Sequence, residues 1–236
     1  GALLAKQKPS IVARVRESLR KAEQDEDIAG VIVRINSPGG TVAASDIIHH
    51  EIEGFRNRKK VPVYACITGI GTSGAYYIAT ATDRITAHPT AVTGSIGVIL
   101  LNFNLEGLLG KIGVAEQSIK SGAKKDLMSP FRASTAEERR IMQEIIDSLA
   151  RRFFDVIMAR SNNQLERQEL EKLADGRVYT AEQAVAAKLI DRTEYLDETI
   201  TGMKKALGIK EARVVGYYRP GDYRGSIYSF SDTGAA

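Results

Sequence analysis

The sequence predicts an α/β fold: a mainly parallel sheet built from βαβ units, followed by a helical C-terminal portion. Three observations carry this. Short β-branched runs alternate with helical stripes, glycine-rich turns follow three of the strand-like runs, and helix signals take over after residue 126. The right-handed crossover rule puts the helices on the faces of the sheet.

Ser10 reads as the N-cap of a first helix, with Ile11, Val15, Leu19 and Ala22 forming its apolar stripe. Gly30-Val-Ile-Val-Arg-Ile35 reads as a buried strand ending in the turn Asn36-Ser-Pro-Gly-Gly40. A helix over roughly 42–58, a strand over 61–68, a glycine-rich turn over 69–74 and a third helix with Tyr76, Tyr77 and Ile78 follow. Further strands are expected over 84–87, 95–102 and 114–119. Beyond residue 126, Ser134-Thr-Ala-Glu137 matches a capping box opening a long helix with Ile141, Ile145, Leu149, Phe153 and Ile157. Helices over 162–173, 180–188 and 197–207 precede a last strand at 214–218 and an irregular tail from Arg219. With no repeat and no linker, residues 1–236 read as one domain: an α/β core to about residue 126 and a helical portion over about 127–236.

The balance of 33 basic against 29 acidic residues gives a net charge of only +4. Basic pairs such as Arg139-Arg140 and Arg151-Arg152 are interleaved with acids, so the pattern is that of solvated helix faces and not of a nucleic-acid surface. The single cysteine, Cys66, lies in an apolar run and reads as a buried strand residue. No apolar run approaches the roughly 18 residues a bilayer span requires. A chain beginning at Gly1 and lacking a signal peptide reads as a trimmed soluble fragment.

Ligands of open α/β sheets bind at the carboxyl ends of strands, so the three glycine-flanked turns, at 36–40, 69–74 and 93–97, are expected to share a crevice. Ser73 falls between a strand and a helix, where a hydroxyl stands on a sharp elbow and helix N–H groups face a developing oxyanion. The plainer reading is an N-cap serine. A nucleophile needs a base. His49 and His50 lie mid-helix beside Glu51 and Glu53 and read as a solvated face, whereas His88 sits in a loop after a strand. A lysine serves only when neutral, and Lys120, Lys124 and Lys125 occur together after a strand-like run. Spacing alone leaves these bases open.

Five segments taken together resemble the signal peptide peptidase A family of Ser-Lys peptidases, with a fold related to Clp protease and crotonase. They are Arg34-Ile-Asn-Ser-Pro-Gly-Gly40, Thr72-Ser-Gly-Ala-Tyr-Tyr-Ile78, Thr93-Gly-Ser-Ile-Gly-Val98, Ile119-Lys-Ser-Gly-Ala-Lys-Lys-Asp126 and Ala174-Asp-Gly-Arg-Val-Tyr179, in the family's order across about residues 30–205. The resemblance implies that Ser73 is the nucleophile, Lys125 the general base and Ser95 the residue orienting the lysine amine, with the Gly40 and Gly74 amides as oxyanion hole. It implies neither metal nor cofactor. It further implies hydrophobic signal-peptide substrates, a homo-oligomer in which protomers share active sites, and a cell-membrane location through an N-terminal anchor lying outside this chain. The family's opening strand is also missing here. Two alternatives share parts of this pattern: a capsid-maturation peptidase of phage type with the same dyad, and a crotonase-like acyl-CoA enzyme without a nucleophile.

Overall fold

A computed structural model describes residues 9–217 and 226–227. The first helix, α1 (Ile11–Gln24), starts where expected, the Ser10 hydroxyl accepting the Ala13 N–H at 3.2 Å. The chain continues through β1 (Val31–Ser37), α2 (Val42–Lys59), β2 (Val63–Thr72), α3 (Gly74–Ala79), β3 (Arg84–Ala87) and β4 (Val92–Gly94). Helices α4 (Glu106–Lys111), α5 (Ala136–Met158) and α6 (Arg167–Leu173) lead to β5 (Val178–Thr180), α7 (Ala181–Ala186), β6 (Arg192–Thr193) and α8 (Leu196–Ala206).

β2 is the strand around which the sheet forms. β1 runs parallel along one of its edges, from Val31↔Val63 to Ser37↔Gly71, with a register shift at Asn36. The other edge is shared: β3 pairs with Tyr64–Ile67 and β4 with Ile70–Thr72, both parallel. β6 extends the sheet beyond β3, and β5 adds an antiparallel strand beyond β4. Val63 to Ile67 are all buried, as the middle of a parallel sheet requires. Two apolar clusters enclose it. Ile48, Ile52 and Phe55 of α2 pack with Leu19 and Val63, and Tyr76, Ile85, Phe153, Ile157, Leu170 and Leu189 form the larger cluster.

The mixed α/β architecture agrees with the sequence reading, but several elements differ. β2 extends through Gly69–Thr72, so the expected glycine turn is strand, and the chain turns only at Ser73. Residues 95–102 form no strand, because Gly94 (φ 91°) and Ser95 (φ 50°) adopt left-handed backbone that ends β4. The apolar run at 114–119 follows Gly113 (φ 76°) and finds no strand partner. Residues 214–217 are likewise irregular, and Tyr218 lies outside the described residues. The helix expected from Asn162 starts only at Arg167, since both polar atoms of the Asn163 amide bond the backbone of Leu165 (3.0 and 3.1 Å) and hold an Asx turn instead. The capping box of α5 is displaced by one residue: Glu138 N–H donates to Thr135 Oγ1 (3.1 Å) and Thr135 N–H to Glu138 Oε2 (2.8 Å). The short strands β5 and β6 carry too few residues for a periodicity to show.

The chain divides into two compact units, one running up to Gly97 and resuming at Phe153, the other comprising Val98–Arg152. The first contains the sheet and both apolar clusters. The second has a single buried residue, Glu138.

Phe55 is fully buried in the smaller cluster. Phe55→Ala should therefore cost about 3–5 kcal/mol in urea unfolding, whereas truncating the wholly exposed Ile119 to Ala should stay within about 0.5 kcal/mol.

Candidate active site

β2 delivers Ser73 to the carboxyl end of the sheet with φ 53° and ψ −124°, a conformation that costs a non-glycine residue roughly 1–3 kcal/mol. Its N–H donates to the Gly94 carbonyl at 2.8 Å, and its carbonyl accepts the Tyr77 N–H at 2.9 Å. Thr72 Oγ1, one residue earlier, donates to the Pro38 carbonyl at 3.0 Å, tying this end of β2 to the turn after β1. Although Ser73 occupies the N-cap position of α3, its hydroxyl makes no capping hydrogen bond. That removes the plainer reading of the residue.

The turn after β1 lies directly against this elbow. Gly39 has φ 113°, and a Cβ there would fall 2.9 Å from the Gly74 nitrogen and 3.0 Å from Ser73 Cβ. A Cβ on Gly74 would fall 2.2 Å from Ser45 Oγ and 3.2 Å from the Gly40 nitrogen. Only glycine permits this approach. The Gly40 and Gly74 amide nitrogens thus lie close together beside Ser73, and among the described residues neither donates to a protein acceptor. Asn36, where the β1 register shifts, braces the same region by accepting the Ile70 N–H at 2.9 Å.

Ser95 follows the Gly94 carbonyl that holds Ser73, so the two serines are linked through one backbone hydrogen bond. The Ser95 N–H donates to the Arg177 carbonyl at 2.7 Å, and Tyr179 packs so closely on Gly94 that a Cβ there would lie 2.6 Å from its ring. The first unit therefore brings Ser73, Gly40, Gly74 and Ser95 together. Arg177 and Tyr179 support them, a role for which their motif alone gave no signal.

Lys125 belongs to the second unit, where the lysine cluster sorts itself by partners. Lys120 Nζ donates to Asp126 at 2.6 Å, and Lys124 is paired with Glu137. Lys125 is exposed, and among the described residues its amine has no carboxylate partner. Arg132 bridges Asp126 (2.7 and 2.9 Å) and Glu138 (2.6 and 2.9 Å). Its guanidinium holds both carboxyls well below their usual range, Glu138 at about 2. The residue after Lys125 is thereby pinned while the lysine side chain stays uncommitted.

Two of the three histidines are otherwise occupied. His88 is buried against the Tyr195 ring (5.1 Å), and its Nε2 accepts the Leu196 N–H at 3.1 Å. Burial pushes its pKa down. A ring nitrogen already accepting a backbone proton at the start of α8 is structural. His49, read from sequence as part of a solvated face, is instead buried edge-on to Tyr77 (5.2 Å), while His50 is exposed. Cys66 is fully buried in β2, and burial raises its thiol pKa.

A strained serine elbow stands at the end of a parallel sheet, with two glycine amides beside it, in a protein of Clp-like fold. The fold is shared with a mutant ClpP1 from Listeria monocytogenes at a TM-score of 0.51, 18% identity, and coverage of 79% of this chain and 85% of that one. The profile of peptidase family S49 matches residues 55–210. A putative signal peptide peptidase SppA of Enterococcus faecium is 37% identical over 199 residues, 84% of this chain and 57% of that protein. The chloroplastic serine protease SPPA of Arabidopsis thaliana is 30% identical over 218 residues, 89% of this chain and 31% of that one. The chain thus spans only part of the length of these relatives. It belongs to peptidase family S49.

Two outcomes test this geometry. Gly74→Ala should slow labelling of Ser73 by a fluorophosphonate probe by about 100-fold, because the new methyl meets Ser45 Oγ, and adding Ser45→Ala should recover part of the rate. The lowered pKa of His88 means that the unfolded chain binds its proton more readily. Stability should then fall as pH drops below the ordinary imidazole value of about 6.5. His88→Gln, which keeps an acceptor for Leu196, should lose that part of the slope in urea titrations at stepped pH.

Proposed function

We propose that this chain is the catalytic domain of a serine endopeptidase that cleaves hydrophobic peptides, remnant signal peptides among them, with Ser73 as nucleophile and Lys125 as general base. The observation that carries the reading is the Ser73 elbow: a left-handed backbone, an uncapped hydroxyl and the Gly40 and Gly74 amides beside it. Ser73 Oγ attacks the scissile carbonyl as its proton passes to the Lys125 amine, and the oxyanion forms against the two amides. The protonated lysine then gives its proton to the leaving amine. Water, activated by the same amine, releases the acyl group from Ser73. Ser95 orients the lysine. The chemistry needs no metal or cofactor.

A lysine acts as a base only when shielded from water, and Lys125 is exposed in the single chain. The second unit also exposes Ile99, Leu101, Phe103, Leu108, Ile112 and Ile119, each more than half accessible, without an apolar core of its own. Such a surface is covered in a stable protein. Both facts support a homo-oligomer in which neighbouring protomers complete each active site and cover Lys125. Residues 1–236 then act as one peptidase domain, held at the cell membrane by a segment N-terminal to it. Among the described residues no helix is long and apolar enough to cross a bilayer.

Ser73→Ala and Lys125→Ala should each lower cleavage of an apolar peptide by about 10⁴-fold or more with circular dichroism unchanged, while His88→Gln retains activity. The wild-type rate should rise from mildly acidic to alkaline pH, since the base acts as the neutral amine. Substantial cleavage by Lys125→Ala, together with its loss in His88→Gln, would refute the assignment in favour of a histidine base. Labelling of a serine other than Ser73 would favour a fold relative without this nucleophile.

A further inference from the structure

α3 carries the Gly74 amide and follows Ser73, yet it has only six residues, too few to be stable without outside support. Two side-chain anchors hold it beyond the Ser73 elbow. The Tyr76 hydroxyl donates to the Leu189 carbonyl at 2.6 Å in the core, where Arg160 Nη1 donates to the same carbonyl at 2.7 Å. The Tyr77 hydroxyl donates to Asp46 Oδ1 at 2.5 Å. Adjacent helical residues point about 100° apart around the axis, so two such anchors fix the rotation of α3 as well as its position. The Tyr77 ring is itself wedged between His49 (5.2 Å) and Phe153 (5.1 Å).

We propose that Asp46 is a positioning residue for the reaction, acting through Tyr77 to set the rotation of α3 and hence the direction of the Gly74 amide and the backbone of Ser73. The proposal rests on Ser73 being the nucleophile. Asp46 follows Ser45, the residue whose hydroxyl lies against Gly74, so one turn of α2 both touches the first residue of α3 and ties its fourth. A carboxylate acceptor makes this the stronger kind of hydrogen bond. Rotation of α3 would swing the Gly74 N–H away from the neighbouring Gly40 amide. The loss would be felt where charge develops on the substrate oxygen and not where the substrate is held.

The test measures kcat and KM on an apolar peptide, the rate of fluorophosphonate labelling of Ser73 and the Tm for wild type, Asp46→Ala, Asp46→Asn, Tyr77→Phe and the double variant Asp46→Ala/Tyr77→Phe. Asp46→Ala and Tyr77→Phe should each lower kcat and the labelling rate by about tenfold or more with KM within about twofold. Asp46→Asn, which keeps an acceptor oxygen, should recover most of that loss. The double variant should be no slower than the worse single one, because both changes remove the same bond. A purely structural tie would lower Tm while leaving the labelling rate of the folded protein at the wild-type value. That result, or losses that multiply in the double variant, overturns the proposal. If the wild type labels at Ser73 and the variants match it, only the role of Asp46 falls; if the wild type does not label there, the nucleophile assignment falls with it.

Discussion

The hydrogen bond from the Ser73 N–H to the Gly94 carbonyl is the constraint on which the rest of the site depends. It continues the β2–β4 ladder one step beyond Thr72↔Gly94, so the sheet grips Ser73 at the point where the chain leaves it. A residue at φ 53° would relax if released. Held on one side by a strand partner and on the other by the first turn of α3, it keeps its hydroxyl out of the helix cap. The register shift at Asn36 completes the arrangement by letting the end of β1 swing its glycines across the elbow.

The two units rest on different physics. The first has the enclosed apolar clusters of an ordinary globular core, and the buried Arg160 is matched within it by Asp191 and the Leu189 carbonyl. The second is organised by ion pairs. Arg132 joins Asp126 to Glu138, and Glu138 in turn caps α5, so one arginine links the lysine-bearing loop to the helix that follows it. Its apolar residues point outward instead of packing together.

Much of this was legible in the residues. Strand–helix alternation located β1, α2, β2, α3 and β3, because buried parallel strands must be apolar throughout and their helices amphipathic. The elbow at Ser73 was visible as a serine between the two kinds of pattern. What escaped was set by partners far along the chain. The apolar runs at 95–102 and 114–119 have strand composition but no strand to pair with, and β5 and β6 exist only because β4 and β3 offer an edge. His49 looked solvated beside Glu51 and Glu53, yet the Tyr77 ring, itself backed by Phe153, closes over it. Asp46 is a mid-helix acid, indistinguishable in sequence from any solvated one. The three lysines separate only once Asp126 and Glu137 are seen to claim two of them.

The support that Arg177 and Tyr179 give to Ser95 and Gly94 has a consequence for the order of events during synthesis. The elbow residues emerge from the ribosome early, but the carbonyl that receives the Ser95 N–H and the ring that backs Gly94 come only after α4, α5 and α6 have been made. Joining them closes a long loop, an entropic cost met only when the intervening chain has packed. Until then the Gly94–Ser95 segment lacks the backing that Arg177 and Tyr179 supply. The last part of the site's backing to be made is thus the part that lies farthest along the chain from the elbow.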